Sequence, residues 1–226
     1  MVKNVFAGAV TSARLSRFAV GMSVVAGVVL AGTPVFAAGH QTDAQSSRSN
    51  AVSSHAAPQT AARQVTAQAV LKIAESQIGV TENAAGGGTL FHRWYMSSPR
   101  AAETLARDGG TLQLYANAPW CAMFVSWVGA KAGARTTMGW DAYTVTWAKW
   151  FKANKRWGAL AKPGAVVFYD WNGKSVTGID HMGLVKQDNG NGTITTIEGN
   201  TGNGRVEQRI RPKSQVVGYG YPEYKA

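Results

Sequence analysis

A change of texture at Pro163-Gly164 restricts this chain to one class of fold. Before it, apolar residues recur at the three- and four-residue spacing of helices. After it come short β segments at 165–169, 181–186, 193–198, 205–210 and 216–221, separated by Asn189-Gly-Asn-Gly192 and Asn203-Gly204, both strong hairpin signals. Helices followed by a run of antiparallel strands imply an α+β domain, with the N-terminal helices packed on a C-terminal sheet.

Three helices are expected ahead of the sheet. In 65–78, Ala67, Val70, Leu71, Ala74 and Ile78 share a face and Gly79 makes a stop. The next starts near Pro119 and ends at Gly133, and the third, 144–154, carries Trp147, Ala148 and Phe151 on its apolar side. The glycines of 84–88 lack the Lys-Ser/Thr ending of a phosphate loop.

Upstream, residues 1–37 have a basic start (Lys3, Arg14, Arg17), an apolar stretch from Phe18 to Leu30, and small residues before a cleavage point after Ala37, the layout of a secretory signal peptide. The apolar stretch is Gly- and Ala-rich and shorter than the ~20 residues of a membrane span, so no stable anchor is expected after cleavage. Residues 38–63 are rich in Ser, Ala, Gln and Thr without an aromatic, too polar to offset the entropy of ordering, and read as a linker. The domain is then 64–226, which holds all eight tryptophans. Removing the three basic residues of the leader lowers the net charge from +11 to +8. Such a surface attracts anionic polymers, and export makes those of a bacterial envelope better candidates than nucleic acid.

The single cysteine, Cys121, lies in Ala118-Pro-Trp-Cys-Ala-Met-Phe-Val-Ser-Trp127, just inside a helix N-terminus. A lone thiol in an exported protein has no internal disulfide partner. Cys121, Val125, Val128 and Ala132 fall on one face, so the thiol points where the helix packs, and the helix end favours its thiolate. Thiolate catalysis also needs an imidazole and a third polar group to orient it. His181 opens a β segment in Gly-Ile-Asp-His-Met-Gly-Leu-Val and is the best base; His92, after the Gly-rich loop, is a weaker rival. Glu198 and Asn200, at the end of the next segment, share a face by two-residue periodicity, and a hairpin would bring them beside His181.

These motifs resemble the CHAP domains, the cysteine, histidine-dependent amidohydrolases/peptidases of the papain-like bacterial cell-wall hydrolases. The resemblance runs from about Leu71 to Tyr221 and rests on the helix ending Ala-Glu-Ser-Gln-Ile-Gly79, on Pro-Trp-Cys-Ala-Met-Phe-Val-Ser-Trp, on Lys-Pro-Gly before an apolar strand, on Asp-His-Met-Gly-Leu-Val, on Ile-Glu-Gly-Asn-Thr and on the closing Val-Gly-Tyr-Gly-Tyr-Pro. It implies a papain-like fold with Cys121 as nucleophile, His181 as acid/base, Glu198 as the orienting residue and Asn200 as a second polar support. It also implies peptidoglycan as substrate, amide hydrolysis through a thioester, and no metal or organic cofactor. Ala165 departs from the pattern, which usually has Asp there. Trp120, Trp140 and Trp171 are expected to line the substrate groove, and a monomer is expected. A transferase resolving the same thioester with an amine stays open, as does a non-catalytic wall-binding protein, although the intact Cys121, His181 and Glu198 argue against the latter.

Overall fold

A computed structural model describes residues 65–225. The expected leader and the whole of the expected linker lie outside the described residues. Six helices precede or flank a six-stranded antiparallel sheet, so the α+β expectation holds, with helices ahead of a C-terminal sheet.

Helix α1 (Ala67–Glu75) starts at Thr66, whose hydroxyl accepts the Ala69 N–H at 3.1 Å, and buries Val70 and Ala74. It stops before the expected end, and Ile78, assigned to the buried face, is exposed. The cause is a competing bond: the Gly79 N–H donates to the Val206 carbonyl, which pulls the chain off the helix to pair with the segment before β5. Helices α2 (Leu90–Met96) and α3 (Pro99–Asp108) were not anticipated. Both have side-chain N-caps, Thr89 and Ser98, and Pro99 fills the first turn of α3.

Helix α4 (Cys121–Ala132) is buried on nearly all sides, with Cys121 to Ser126, Val128 and Gly129 all inaccessible. A helix apolar all round belongs in the centre of a domain. It packs against α1, α2 and β3. A short helix, α5 (Arg135–Met138), leads to α6 (Thr144–Ala153), which buries Trp147, Ala148 and Phe151 as expected.

The strands are β1 (Trp157–Gly158), β2 (Val166–Tyr169), β3 (His181–Asp188), β4 (Thr193–Glu198), β5 (Glu207–Pro212) and β6 (Val216–Gly220), in sheet order β1-β6-β2-β3-β4-β5. β5 begins later than expected because Arg205 and Val206 are taken by pairing with the Val80–Thr81 segment. Alternation splits the sheet into two faces. Phe168, Met182, Leu184 and Ile197 join the helices in the main core, while Val167, Tyr169, Val185, Ile194 and Tyr219 form a smaller core on the other face.

Candidate active site

Cys121 is the first residue of α4, and the residue before it, Trp120, supplies no side-chain cap. The first N–H groups of a helix have no intrahelical acceptor, so those beside the thiol remain available to an anion. Cys121 is 3% exposed and lines a cleft together with His181.

His181 is the first residue of β3 and pairs across the sheet with Tyr169. β3 and β4 form the expected hairpin, with Leu184 opposite Ile197. That register puts Gly183 beneath Glu198, and a β-carbon at Gly183 would come within 2.6 Å of the Glu198 Cγ. The missing side chain is what lets Glu198 lie across β3 and reach the imidazole. His181 Nε2 donates to Glu198 Oε2 at 3.0 Å, which leaves Nδ1 for the Cys121 sulfur.

Glu198 is fully buried, and its carboxylate is saturated with donors. Oε1 accepts from the Thr196 hydroxyl at 2.6 Å, Arg211 Nε at 3.0 Å and the Tyr169 hydroxyl at 3.2 Å. Oε2 accepts from His181 and from Arg211 Nη2 at 2.6 Å. Burial pushes the Glu198 pKa up, but the bonds from His181 and Arg211 outweigh it and bring it down to about 2. Burial likewise works against protonating His181, yet the Cys121 and Glu198 interactions raise its pKa to about 9. The raised pKa favours the imidazole as a cation at neutral pH, placed between the Cys121 sulfur and a carboxylate.

Around the histidine stands an aromatic and cationic wall. Tyr169 and Trp171 stack at 5.1 Å, and both rings lie within 6 Å of the His181 ring. The Arg211 guanidinium sits 5.2 Å from the Trp171 ring centre. Trp171, exposed, lines the cleft together with Cys121 and His181.

Asn200 also lines the cleft, but β4 ends at Glu198 and Asn200 takes a left-handed backbone (φ +55°), so strand alternation no longer applies to it. Its side chain makes no hydrogen bond to His181 among the described residues; of the two, Glu198 is the one that holds the ring. Gly199 between them presses on α4, where a β-carbon would meet the Phe124 Cβ at 2.6 Å. This close approach seats the end of β4 against the start of the helix that carries Cys121.

Two of the expected groove tryptophans are elsewhere. Trp120 is fully buried, stacked on Phe91 at 5.3 Å with its indole N–H on Glu82 at 2.7 Å, because the helix it introduces is enclosed. Trp140 lines a separate cavity with Trp147 and Trp150, and the Arg135 guanidinium covers its ring at 4.1 Å. His92 is buried with both ring nitrogens engaged: the Thr89 hydroxyl donates to Nδ1 at 2.8 Å, and Nε2 donates to the Ala118 carbonyl at 3.0 Å. Burial lowers its pKa, so it is a neutral brace for the segment leading to Cys121.

Sequence reasoning missed Arg211, Tyr169, Thr196 and Gly183. Thr196 was within reach of the period-two argument, being two residues before Glu198. Arg211 was not, since its place depends on the β4–β5 register, which pairs it with Ile194.

No curated protein matches the chain. A crystal structure of Ly7917 aligns at 16% identity over 70% of this chain and 62% of that one, with a TM-score of 0.36, so the match spans less than two thirds of that structure's length. The stretch that carries Cys121, His181, Glu198 and Asn200 is matched independently: residues 113–200 fit the family model of the CHAP domain, in agreement with the resemblance read from the sequence motifs.

Proposed function

We propose that this protein is a secreted peptidoglycan hydrolase that cleaves an amide bond through a Cys121 thioester. The observation that carries the reading is the chain Cys121–His181–Glu198, with the imidazole held between the cysteine sulfur and a buried carboxylate. The match of 113–200 to the CHAP domain, a family of cysteine- and histidine-dependent amidohydrolases, supports the reaction class. The leader-like 1–37 supports export, and the basic composition suits an anionic wall.

In the first half-reaction the Cys121 sulfur, its proton carried by His181, attacks the amide carbonyl, whose oxygen takes up negative charge beside the open N–H groups at the start of α4. His181 then gives its proton to the departing nitrogen, the C–N bond breaks, and a thioester remains. In the second, neutral His181 takes a proton from water, the hydroxide oxygen bonds to the acyl carbon, and the C–S bond breaks to release a carboxylic acid. Glu198 stays ionised throughout and stabilises the imidazolium, while its bonds to Arg211, Thr196 and Tyr169 keep it in place.

The test is digestion of purified peptidoglycan by the mature protein, with new termini identified by mass spectrometry, beside Cys121→Ala. The parent should release fragments ending in a new carboxylate and a new amine, and the variant none. A folded Cys121→Ala protein that still hydrolyses walls would remove Cys121 as nucleophile. Products in which an amine replaces water on the acyl group would make the protein a transferase.

A further inference from the structure

The cleft around Cys121 divides into two arms of unlike chemistry. Pro119, Cys121 and Asp180 line both and so mark the junction. One arm, of about 260 Å³, runs past Met123, Ala142, Tyr143 and Leu114 and is mainly apolar. Leu114 is 61% exposed there and presents its side chain to the arm. The other arm, of about 360 Å³, runs past His181 and Trp171 to Arg209 and Arg211.

His181 lines only the second arm. The group that protonates the departing nitrogen must face it, so the leaving amine belongs in the arginine arm and the acyl part in the Leu114 arm. The arginines still have donors to offer. Arg211 gives Nε and Nη2 to Glu198, and its Nη1 makes no hydrogen bond among the described residues. Arg209 gives Nη1 to Glu207 at 3.1 Å in a half-exposed pair, a weak and exchangeable interaction. The acidic group that faces the cleft directly, Asp180, sits at the junction and not among the arginines, with Oδ2 accepting the Trp171 N–H at 2.9 Å.

Resting on the hydrolase reading above, we infer that the site selects amides with an apolar side chain on the acyl residue and a carboxylate on the leaving amine, the carboxylate being bound by Arg209 and the open edge of Arg211. Arginine presents paired donors to a carboxylate, and the aromatic wall of Trp171 shields that contact from water.

The experiment compares synthetic amides with the same alanyl acyl part and a leaving amino acid bearing either a free carboxylate or a carboxamide. Measured as kcat/KM with the mature protein, the carboxylate substrate should be preferred by roughly ten-fold or more, the range of a charge-assisted contact, with the preference shrinking as salt is added. Arg209→Gln should bring the ratio close to one, mainly through KM. A third peptide with glutamate in place of the acyl alanine should be cut more slowly than the parent substrate. Equal rates on the first two peptides, or a preference untouched by Arg209→Gln, would overturn the inference. So would failure to cut either peptide by a protein whose parent form, unlike Cys121→Ala, digests walls; the hydrolase reading would survive that result. Failure on walls and peptides alike would remove both.

Discussion

Glu198→Gln tests the centre of the site, because the change keeps the shape and removes the charge. The carboxylate takes bonds from Tyr169, Thr196, His181 and Arg211 without being exposed at all. An amide keeps one acceptor oxygen and turns an N–H₂ toward groups that are themselves donors. Arg211, with its side chain 18% exposed, then loses its counter-charge. Removing one partner of a buried pair costs about 3–5 kcal/mol, which for a domain of this size lowers Tm by roughly 10 °C. His181 loses its anion while burial still opposes protonation, so its pKa falls from about 9 and the imidazolium is no longer secured at neutral pH. A rate loss of roughly 10²–10⁴-fold should follow, the usual range for acid–base assistance.

The stability profile carries a matching sign. In the parent, a histidine raised from 6.5 to about 9 contributes stability that is complete below 6.5 and is lost as pH rises through 9. Glu198, lowered from 4.5 to about 2, contributes stability present above 4.5 and lost as pH falls through 2. Both dependences should flatten in Glu198→Gln. A second change, Arg211→Met, should restore much of the stability of Glu198→Gln by removing the stranded cation, but not the rate. The assays are urea unfolding across pH and wall hydrolysis against pH, whose alkaline limb should lie near 9 in the parent. Glu198→Gln with the parental rate and limb would refute the reasoning, as would a double variant that recovers activity together with stability.

Asn200→Gly should leave the hydrolysis rate within about ten-fold of the parent, since the Asn200 side chain does not hold His181, while Asn200→Ala should cost about 1 kcal/mol in urea unfolding for its left-handed backbone. A hundred-fold rate loss in Asn200→Gly would transfer the orienting role to the amide. His92→Phe strands the Thr89 hydroxyl and the Ala118 carbonyl and should cost roughly 1–3 kcal/mol for each, with the limbs of the pH–rate profile unmoved. A displaced limb would make His92 a participant in proton transfer.

The sequence disclosed those parts of the fold where a local period and a global role coincide. Helix α4 was legible because its proline start and glycine stop bracket an apolar run, and β3 and β4 because Asn-Gly turns join them. From these two facts Cys121, His181 and Glu198 could be brought together. Helices α2 and α3 were overlooked although Thr89 and Ser98-Pro99 announce them, since each is short and anchored by caps more than by a long apolar stripe. The tryptophans were hidden for another reason. An indole suits a groove and a core equally well, and only the enclosure of α4 puts Trp120 in the core. Arg211 lies beyond the matched stretch 113–200 on a strand whose alternation resembles that of any exposed edge, with Glu207, Arg209 and Arg211 on one face and Gln208 and Ile210 on the other.

Among the described residues, β5 is the last strand of the sheet and is hydrogen-bonded only to β4 along its length. Strands at a margin are the first to open, with local free energies below that of global unfolding, and their amides exchange earliest with deuterium. Arg211 is anchored in that strand, while the carboxylate it neutralises belongs to the inner strand β4. Each excursion of β5 therefore withdraws the countercharge from Glu198 with the remaining strands still paired. Heat inactivation should consequently set in below the temperature at which the domain melts, in step with amide exchange along 207–212.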